Sequence, residues 1–280
     1  MSKKKIVVGV VPTEAGRRAV EWAAERAAAT HTPLELFRII GGAVGVVGEA
    51  ALVTEIEAAA AEHLAAEADS IRYHGVPVTT RVDHGNPVTK LVEASKDAGL
   101  LVIGSDYRPG GKGPARGLHG IRISAGAHCP VVVVPDSEHG ERAGVVVGVD
   151  GSELSEKAIA FAAAEADRIG EPLIAVTAWQ PMEVPRSPGL QPASYVDALR
   201  QLAEEAQAIS LAGLAQTYPD LQVDRHVDEG AAADVLSAYA VTARMTVMGS
   251  HGRGAVRRFL LGSVSEQMLY RLRGLTAIVR

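Results

Sequence analysis

Residues 145–149 read Val145-Val146-Val147-Gly148-Val149, and residues 6–10 read Ile6-Val7-Val8-Gly9-Val10. These runs are one strand written twice. At an offset of 139 residues, Gly9 falls on Gly148, Ala19 on Ala158, Pro33 on Pro172 and Leu34 on Leu173. Further on the offset is 145: Gly85 falls on Gly230, Leu91 on Leu236, Gly104 on Gly249, Ser105 on Ser250, Arg108 on Arg253 and Gly117 on Gly262. The change from 139 to 145 places a six-residue insertion in the second copy, for which the stretch Pro181 to Pro192 is the natural host. A period this long is not a solenoid repeat, so the chain is a duplicated domain. Its 280 residues agree with two domains at roughly 150 residues each. The first copy closes on Val131-Val132-Val133-Val134-Pro135, and the polar stretch Asp136 to Arg142 reads as a linker. We therefore expect domains over 1–136 and 143–280.

Each copy alternates short β-branched runs with Ala-rich helical stretches. In the second copy the expected strands are 145–149, 173–178, 222–227, 245–248 and 276–279. The expected helices are 153–169, 194–217, 231–243 and 263–272. The first helix carries a stripe at helical period: Ala158, Phe161, Ala162, Glu165, Ile169. Strand–helix alternation implies an α/β fold with a parallel sheet, right-handed crossovers and helices on both faces. Val145-Val146-Val147 is apolar without alternation, as a strand covered on both faces must be. In such sheets ligands sit beyond the carboxyl ends of the strands, where strand order reverses. The residues after strands 1 and 4 are thus the candidate site.

After strand 4 of the second copy comes Gly249-Ser250-His251-Gly252-Arg253-Gly254, then Gly262-Ser263-Val264-Ser265 opening a helix. The spacing is Gly-x2-Gly-x9-Gly-Ser. Glycines let the backbone approach a ligand closely, and the free amides and dipole of a helix N-terminus favour an anion. Ser263 and Ser265 offer hydroxyl donors, and Arg253, Arg257 and Arg258 add positive charge. After strand 1 comes Asp150-Gly151-Ser152. Two readings fit it. Asp150 starts a turn and Ser152 caps the helix, or the carboxylate accepts hydrogen bonds from a ribose hydroxyl or an adenine amine.

Together these residues resemble the universal stress protein family in its tandem form, over essentially the whole chain. Gly249 to Ser263 is similar to the ATP-binding signature of that family's nucleotide-binding branch. The resemblance implies that Asp150 contacts adenosine, that Gly230 is the family's glycine after strand 3, and that Ala178 is the small residue beside adenine. It also implies five parallel strands per domain in the order 3-2-1-4-5, and pairing of domains through the last strand. The first copy departs from the pattern. Val11 stands in the place of Asp150, Tyr107 in that of the second motif glycine and Leu118 in that of the motif serine, although Gly104 and Gly117 remain. We expect weak or absent ATP binding there, even with Gly110, Gly111 and Gly113 around Lys112.

Composition narrows the function classes. Lys and Arg number 28 against 33 Asp and Glu, for a net charge of −5, which argues against a nucleic-acid partner. Aromatic residues at 4% argue against a single-strand stacking platform. One cysteine, Cys129, excludes an internal disulfide and a cysteine zinc cluster; before Pro130 it reads as a small buried hydrophobe. The apolar run after Met1-Ser2-Lys3-Lys4-Lys5 is too short for a signal peptide or a membrane span, so no membrane association and a cytoplasmic location are expected. Lys3 to Lys5 reads as a solvated tip. There is no Walker A loop, dinucleotide fingerprint or nucleophile elbow, and Asp150-Gly151-Ser152 does not match the Ser-Gly-Gly loop of ATP pyrophosphatases. His251 reads as a loop side chain facing water rather than phosphate. Pro181 to Pro192 fits either a lid over the site or a surface loop.

The reading favoured is an ATP-binding regulatory stress-response protein. ATP, with Mg²⁺ on its phosphates, acts as a switch for an unidentified regulatory protein partner. Hydrolysis is slow or absent, since no general base or nucleophile constellation is evident. Two tandem chains are expected to pair as a homodimer. The competing reading is an interaction scaffold of the same family that binds no nucleotide.

Overall fold

The computed structural model describes residues 4–41, 50–105, 118–136, 140–181, 193–252 and 260–280. Two compact units divide at Glu138 and His139, within the polar stretch Asp136 to Arg142.

The first unit runs β1 (Ile6–Gly9), α1 (Glu14–Thr30), β2 (Leu34–Ile40), α2 (Ala50–Ser70), β3 (Val78–His84), α3 (Pro87–Ala94), β4 (Leu100–Gly104), α4 (Leu118–Gly126) and β5 (Val131–Val134). A short 3-10 turn, Arg72–His74, precedes β3. The strand order is β3-β2-β1-β4-β5, and the pairings run parallel. The second unit runs β6 (Val145–Gly148), α5 (Glu153–Ile169), β7 (Leu173–Trp179), α6 (Ala193–Ser210), α7 (Leu214–Thr217), β8 (Val223–Glu229), α8 (Ala232–Ala240), β9 (Met245–Gly249), α9 (Ser263–Arg271) and β10 (Leu275–Val279). Its order, β8-β7-β6-β9-β10, repeats that of the first unit. Each unit is thus the five-stranded parallel sheet in the order 3-2-1-4-5.

Local chemistry sets the helix boundaries. Ser152 Oγ accepts from the Ser155 amide at 3.1 Å, and Thr13, its counterpart, accepts from Gly16 at 3.1 Å. Each cap satisfies an N–H that the helix itself cannot, worth about 1 kcal/mol. Gly170, at φ 66°, ends α5 in the left-handed region where glycine carries no Cβ penalty. The small face of α1 (Ala15, Ala19, Ala23, Ala27) is fully buried and packs on β1 and β4; α5 packs likewise on β6 and β9. Covered on both sides, Val145, Val146 and Val147 have no exposed surface, and each contributes about 1.5–3 kcal/mol by burial.

Two features depart from the expected elements. The helix expected over 194–217 is two helices, because Gly213 adopts φ 87° between α6 and α7. Glu165, read as part of an apolar stripe, is 2% exposed and ion-paired with Arg168 at 2.9 Å. Among the described residues no helix is long and apolar enough to cross a membrane. Cys129 is buried, and burial pushes its thiol up to about 12, which keeps it protonated. Lys5 is ion-paired with Glu35 and keeps its side chain partly exposed, while Lys3 lies outside the described residues. Pro181 is described, but 182–192, most of the stretch expected as a lid or loop, lies outside the described residues.

Candidate functional site

The carboxyl end of β6 turns sharply into α5. The Val149 amide donates to the Val176 carbonyl at 2.8 Å, one step beyond the β6–β7 ladder. Gly151 then adopts φ 75°, a conformation that favours glycine. Asp150 lies half-buried in this turn, with its Oδ1 accepting from the Ser152 amide at 3.0 Å. Ser155 Oγ accepts from the Asp150 amide at 3.2 Å. The turn-and-cap reading of this stretch holds: Ser152 caps the helix, and the Asp150 carboxylate is held in the turn beside the helix N-terminus. Its second oxygen is directed at the glycine loop. A Cβ placed on Gly252 would sit 2.5 Å from Asp150 Oδ2.

The loop after β9 is closed by backbone bonds. Ser250 donates its N–H to the Val279 carbonyl at 2.8 Å and accepts from the Gly262 amide through its own carbonyl at 2.7 Å. The second bond brings the first and last motif glycines to the same edge. There is little room for side chains here: a Cβ on Gly249 would meet Leu154 Cβ at 3.0 Å, and one on Gly262 would meet His251 Cα at 3.2 Å. Gly262 is also the N-cap residue of α9 and has no side chain to cap it. Among the described residues the amides of Ser263, Val264 and Ser265 have no partner, and the first internal bond is Glu266 N–H to Gly262 C=O at 3.0 Å. Open amides and the helix dipole give this end the electrostatic character that suits an anion. Glu266, in the same turn, offsets part of that dipole.

Two site residues differ from expectation. Ser265 is 3% exposed and donates its hydroxyl proton to the Gly249 carbonyl at 2.7 Å. Position 3 of α9 faces the strand, so Ser265 fastens the loop to the helix instead of presenting a donor. His251 is half-buried, with Nδ1 3.2 Å from Ser250 Oγ. Its Nε2 is buried with no partner among the described residues. Burial, then the nearby positive charge of Arg280, lowers its pKa below the ordinary 6.5. It is not a solvated side chain. Arg253, Arg257 and Arg258 lie outside the described residues.

Ala178 pairs in register with Asp228 near the end of β7, half-buried. Gly230, at φ 150°, follows β8 and donates its N–H to the Trp179 carbonyl at 2.9 Å. Trp179 Nε1 is a buried donor without a partner among the described residues. Asp150, Gly151, Gly249, Gly252, Gly262 and the start of α9 thus come together at the β6/β9 switch point, with Ala178 and Gly230 along the same sheet edge. Sequence reasoning missed Ser155, Trp179 and Arg280. A visible signal for Ser155 was its replacement by Gly16 in the first copy. Among the described residues no group of three His, Cys, Asp or Glu side chains could hold a metal.

The first unit keeps the scaffold and changes its side chains. Ser105 N–H donates to Val134 at 2.7 Å, and Gly85, at φ 124°, donates to Ile40 at 3.0 Å, as Ser250 and Gly230 do. Val11 is 39% exposed where Asp150 stands in the second unit. A Cβ on Gly16 would lie 2.1 Å from the Val11 carbonyl, so this turn has no space for a serine like Ser155. Tyr107, Gly110, Gly111, Lys112, Gly113 and Gly117 lie outside the described residues, as does the side chain of Leu118.

A model of the Universal stress protein family matches residues 3–135 and again 143–280. A universal stress protein of Mycobacterium tuberculosis H37Rv is 41% identical over 207 residues, an alignment covering 70% of this chain and 66% of that relative, just under two thirds of its length. A second from the same strain is 34% identical over 276 residues, 93% of this chain and 91% of the relative. The crystal structure of a universal stress protein from Archaeoglobus fulgidus DSM 4304 shares the fold, with a TM-score of 0.71 and 18% identity over 100% of this chain and 99% of that one. Matched twice, once in each unit, the chain belongs to the Universal stress protein family.

Proposed function

We infer that this stress-response protein binds ATP in its second unit and uses it as a regulatory switch. One observation carries the reading: Asp150 Oδ2 is directed at Gly252, beside an uncapped helix N-terminus at the sheet's switch point. The two ends of the site have opposite character. The carboxylate suits the hydroxyls of ribose or the amine of adenine. The glycine backbone and the α9 amides suit a phosphate chain. Gly252 has no side chain, so backbone and ligand can meet where a Cβ would already collide with Asp150.

Mg²⁺ would travel with the phosphates, since three protein ligands are not gathered among the described residues. Asp150 is engaged with the Ser152 amide, which suits holding a ligand better than activating water, so hydrolysis is slow at most. ATP then acts by its different affinity for two states of the protein, shifting their populations and hence the binding of a regulatory protein. The same reading includes that partner, a homodimer of tandem chains and a cytoplasmic location. The test is titration of ATP onto wild type and Asp150→Ala. Saturable binding that the substitution weakens by roughly ten- to hundredfold supports the reading. No binding to wild type favours the scaffold that uses no nucleotide.

A further inference from the structure

Thr177 and Arg38 occupy the same position in the two copies, at the 139-residue offset. In the second unit Thr177 is buried and neutral, and its hydroxyl accepts from Gln207 Nε2 at 3.1 Å. In the first unit a guanidinium stands there. Arg38 Nη1 donates to the Val10 carbonyl at 3.1 Å, which carries the charge over the carboxyl end of β1. Val10 precedes Val11, the counterpart of Asp150. The edge has therefore lost a carboxylate and gained a cation.

Arg38 is half-buried, and burial lowers its pKa. Among the described residues no carboxylate pairs with it. Several acids of β2, β3 and α2 are engaged with other groups: Asp83 with Lys90 at 3.0 Å, Glu57 with His84 at 2.5 Å, and Glu35 with Arg81 at 2.8 Å and with Lys5. A partly desolvated charge without a counter-ion is costly. The duplicate copy shows that this fold does not need an arginine at that position. Val11, next in the chain to the carbonyl that Arg38 reaches, is exposed, and Ile40, two residues further along β2, is half-exposed, so the apolar side chains of this edge are open to a ligand.

We propose that the carboxyl edge of the first unit binds a small oxyanion-bearing molecule, a carboxylate or a phosphate ester, on the Arg38 guanidinium in place of adenosine. The guanidinium offers a planar fork of donors that matches two oxygens of either group. Val11 has nothing to offer a ribose hydroxyl. This inference does not rest on ATP binding in the second unit.

The test uses the full chain, isotope-labelled, with amide shifts followed during titration of inorganic phosphate and, separately, of butyrate. Saturating shifts centred on Val10, Val11 and Arg38 are expected, and they persist in Asp150→Ala protein. Arg38→Gln should weaken binding roughly tenfold or more, and Arg38→Lys by less, because the charge remains and the fork is lost. Saturation by phosphate alone identifies a phosphate ester as the ligand class, and by butyrate alone a carboxylate; either supports the site. No saturating shift at Val10, Val11 and Arg38 with either probe overturns it, whatever shifts arise at the glycine loop of the second unit, as does unchanged affinity at these residues in a folded Arg38→Gln protein. The wild-type shift map stands on its own if that variant does not fold.

Discussion

Gly252→Ala tests whether the glycine motif works by making room beside Asp150. The backbone at Gly252 lies outside the left-handed region, so alanine can adopt it. The new Cβ would stand 2.5 Å from Asp150 Oδ2. A comfortable carbon–oxygen contact is about 3.3 Å, so the carboxylate must retreat by roughly 0.8 Å. The end of a side chain can make that move at a stability cost of about 1 kcal/mol or less, partly offset by the reduced freedom of the unfolded chain. Nucleotide binding has no such tolerance. Losing one hydrogen bond to a charged group costs about 1.5–3 kcal/mol, or roughly ten- to hundredfold in affinity. Calorimetric titration of ATP onto wild type, Gly252→Ala, Asp150→Ala and the double variant closes a cycle. The double variant should bind no worse than Asp150→Ala, because the methyl acts only through the carboxylate. Independent, additive losses would refute this reasoning, and so would wild-type affinity in Gly252→Ala.

Other substitutions separate structural from binding roles. Gly104→Ala brings a Cβ within 2.6 Å of the Ala15 backbone, while Gly249→Ala meets the Leu154 side chain at 3.0 Å; urea unfolding should show the first to be the more destabilising, by about 1–3 kcal/mol. Ser265→Ala removes the bond to the Gly249 carbonyl and should lower stability by about 1–3 kcal/mol, with ATP stoichiometry unchanged; loss of stoichiometry at intact stability would make the hydroxyl a ligand contact instead. His251 should titrate below the ordinary 6.5 in a pH series of its ring resonances. With that folded pKa depressed, the unfolded chain binds the proton more readily, so His251→Gln should remove a loss of stability that sets in as pH falls through about 6.5.

The sheet was legible because covered strands leave an unmistakable trace. Val131 to Val134 and Val145 to Val147 are apolar without alternation, and the repeat aligned their neighbours. The break in the helix expected over 194–217 was hidden because Ala, Leu and Gln flank Gly213, and sequence alone does not show that one glycine takes a positive φ. At the site, Asp150 and the motif glycines were readable from type and spacing. The direction of Ser265 was not, since it depends on which face of α9 meets β9. Nor was the state of His251, set by burial and by an arginine distant in sequence. Arg38 belongs to no motif, and only the reach of its guanidinium to the Val10 carbonyl places its charge over the carboxyl end of the neighbouring strand.

The most direct measurement is the nucleotide content of freshly purified protein, released by heat and resolved by chromatography, beside ATP titration of wild type and Asp150→Ala. The account predicts about one ATP per chain, absent from Asp150→Ala, with the first unit empty of it. Two ATP per chain would contradict the distinction between the units. Wild-type protein that neither carries nor binds ATP would contradict the central claim.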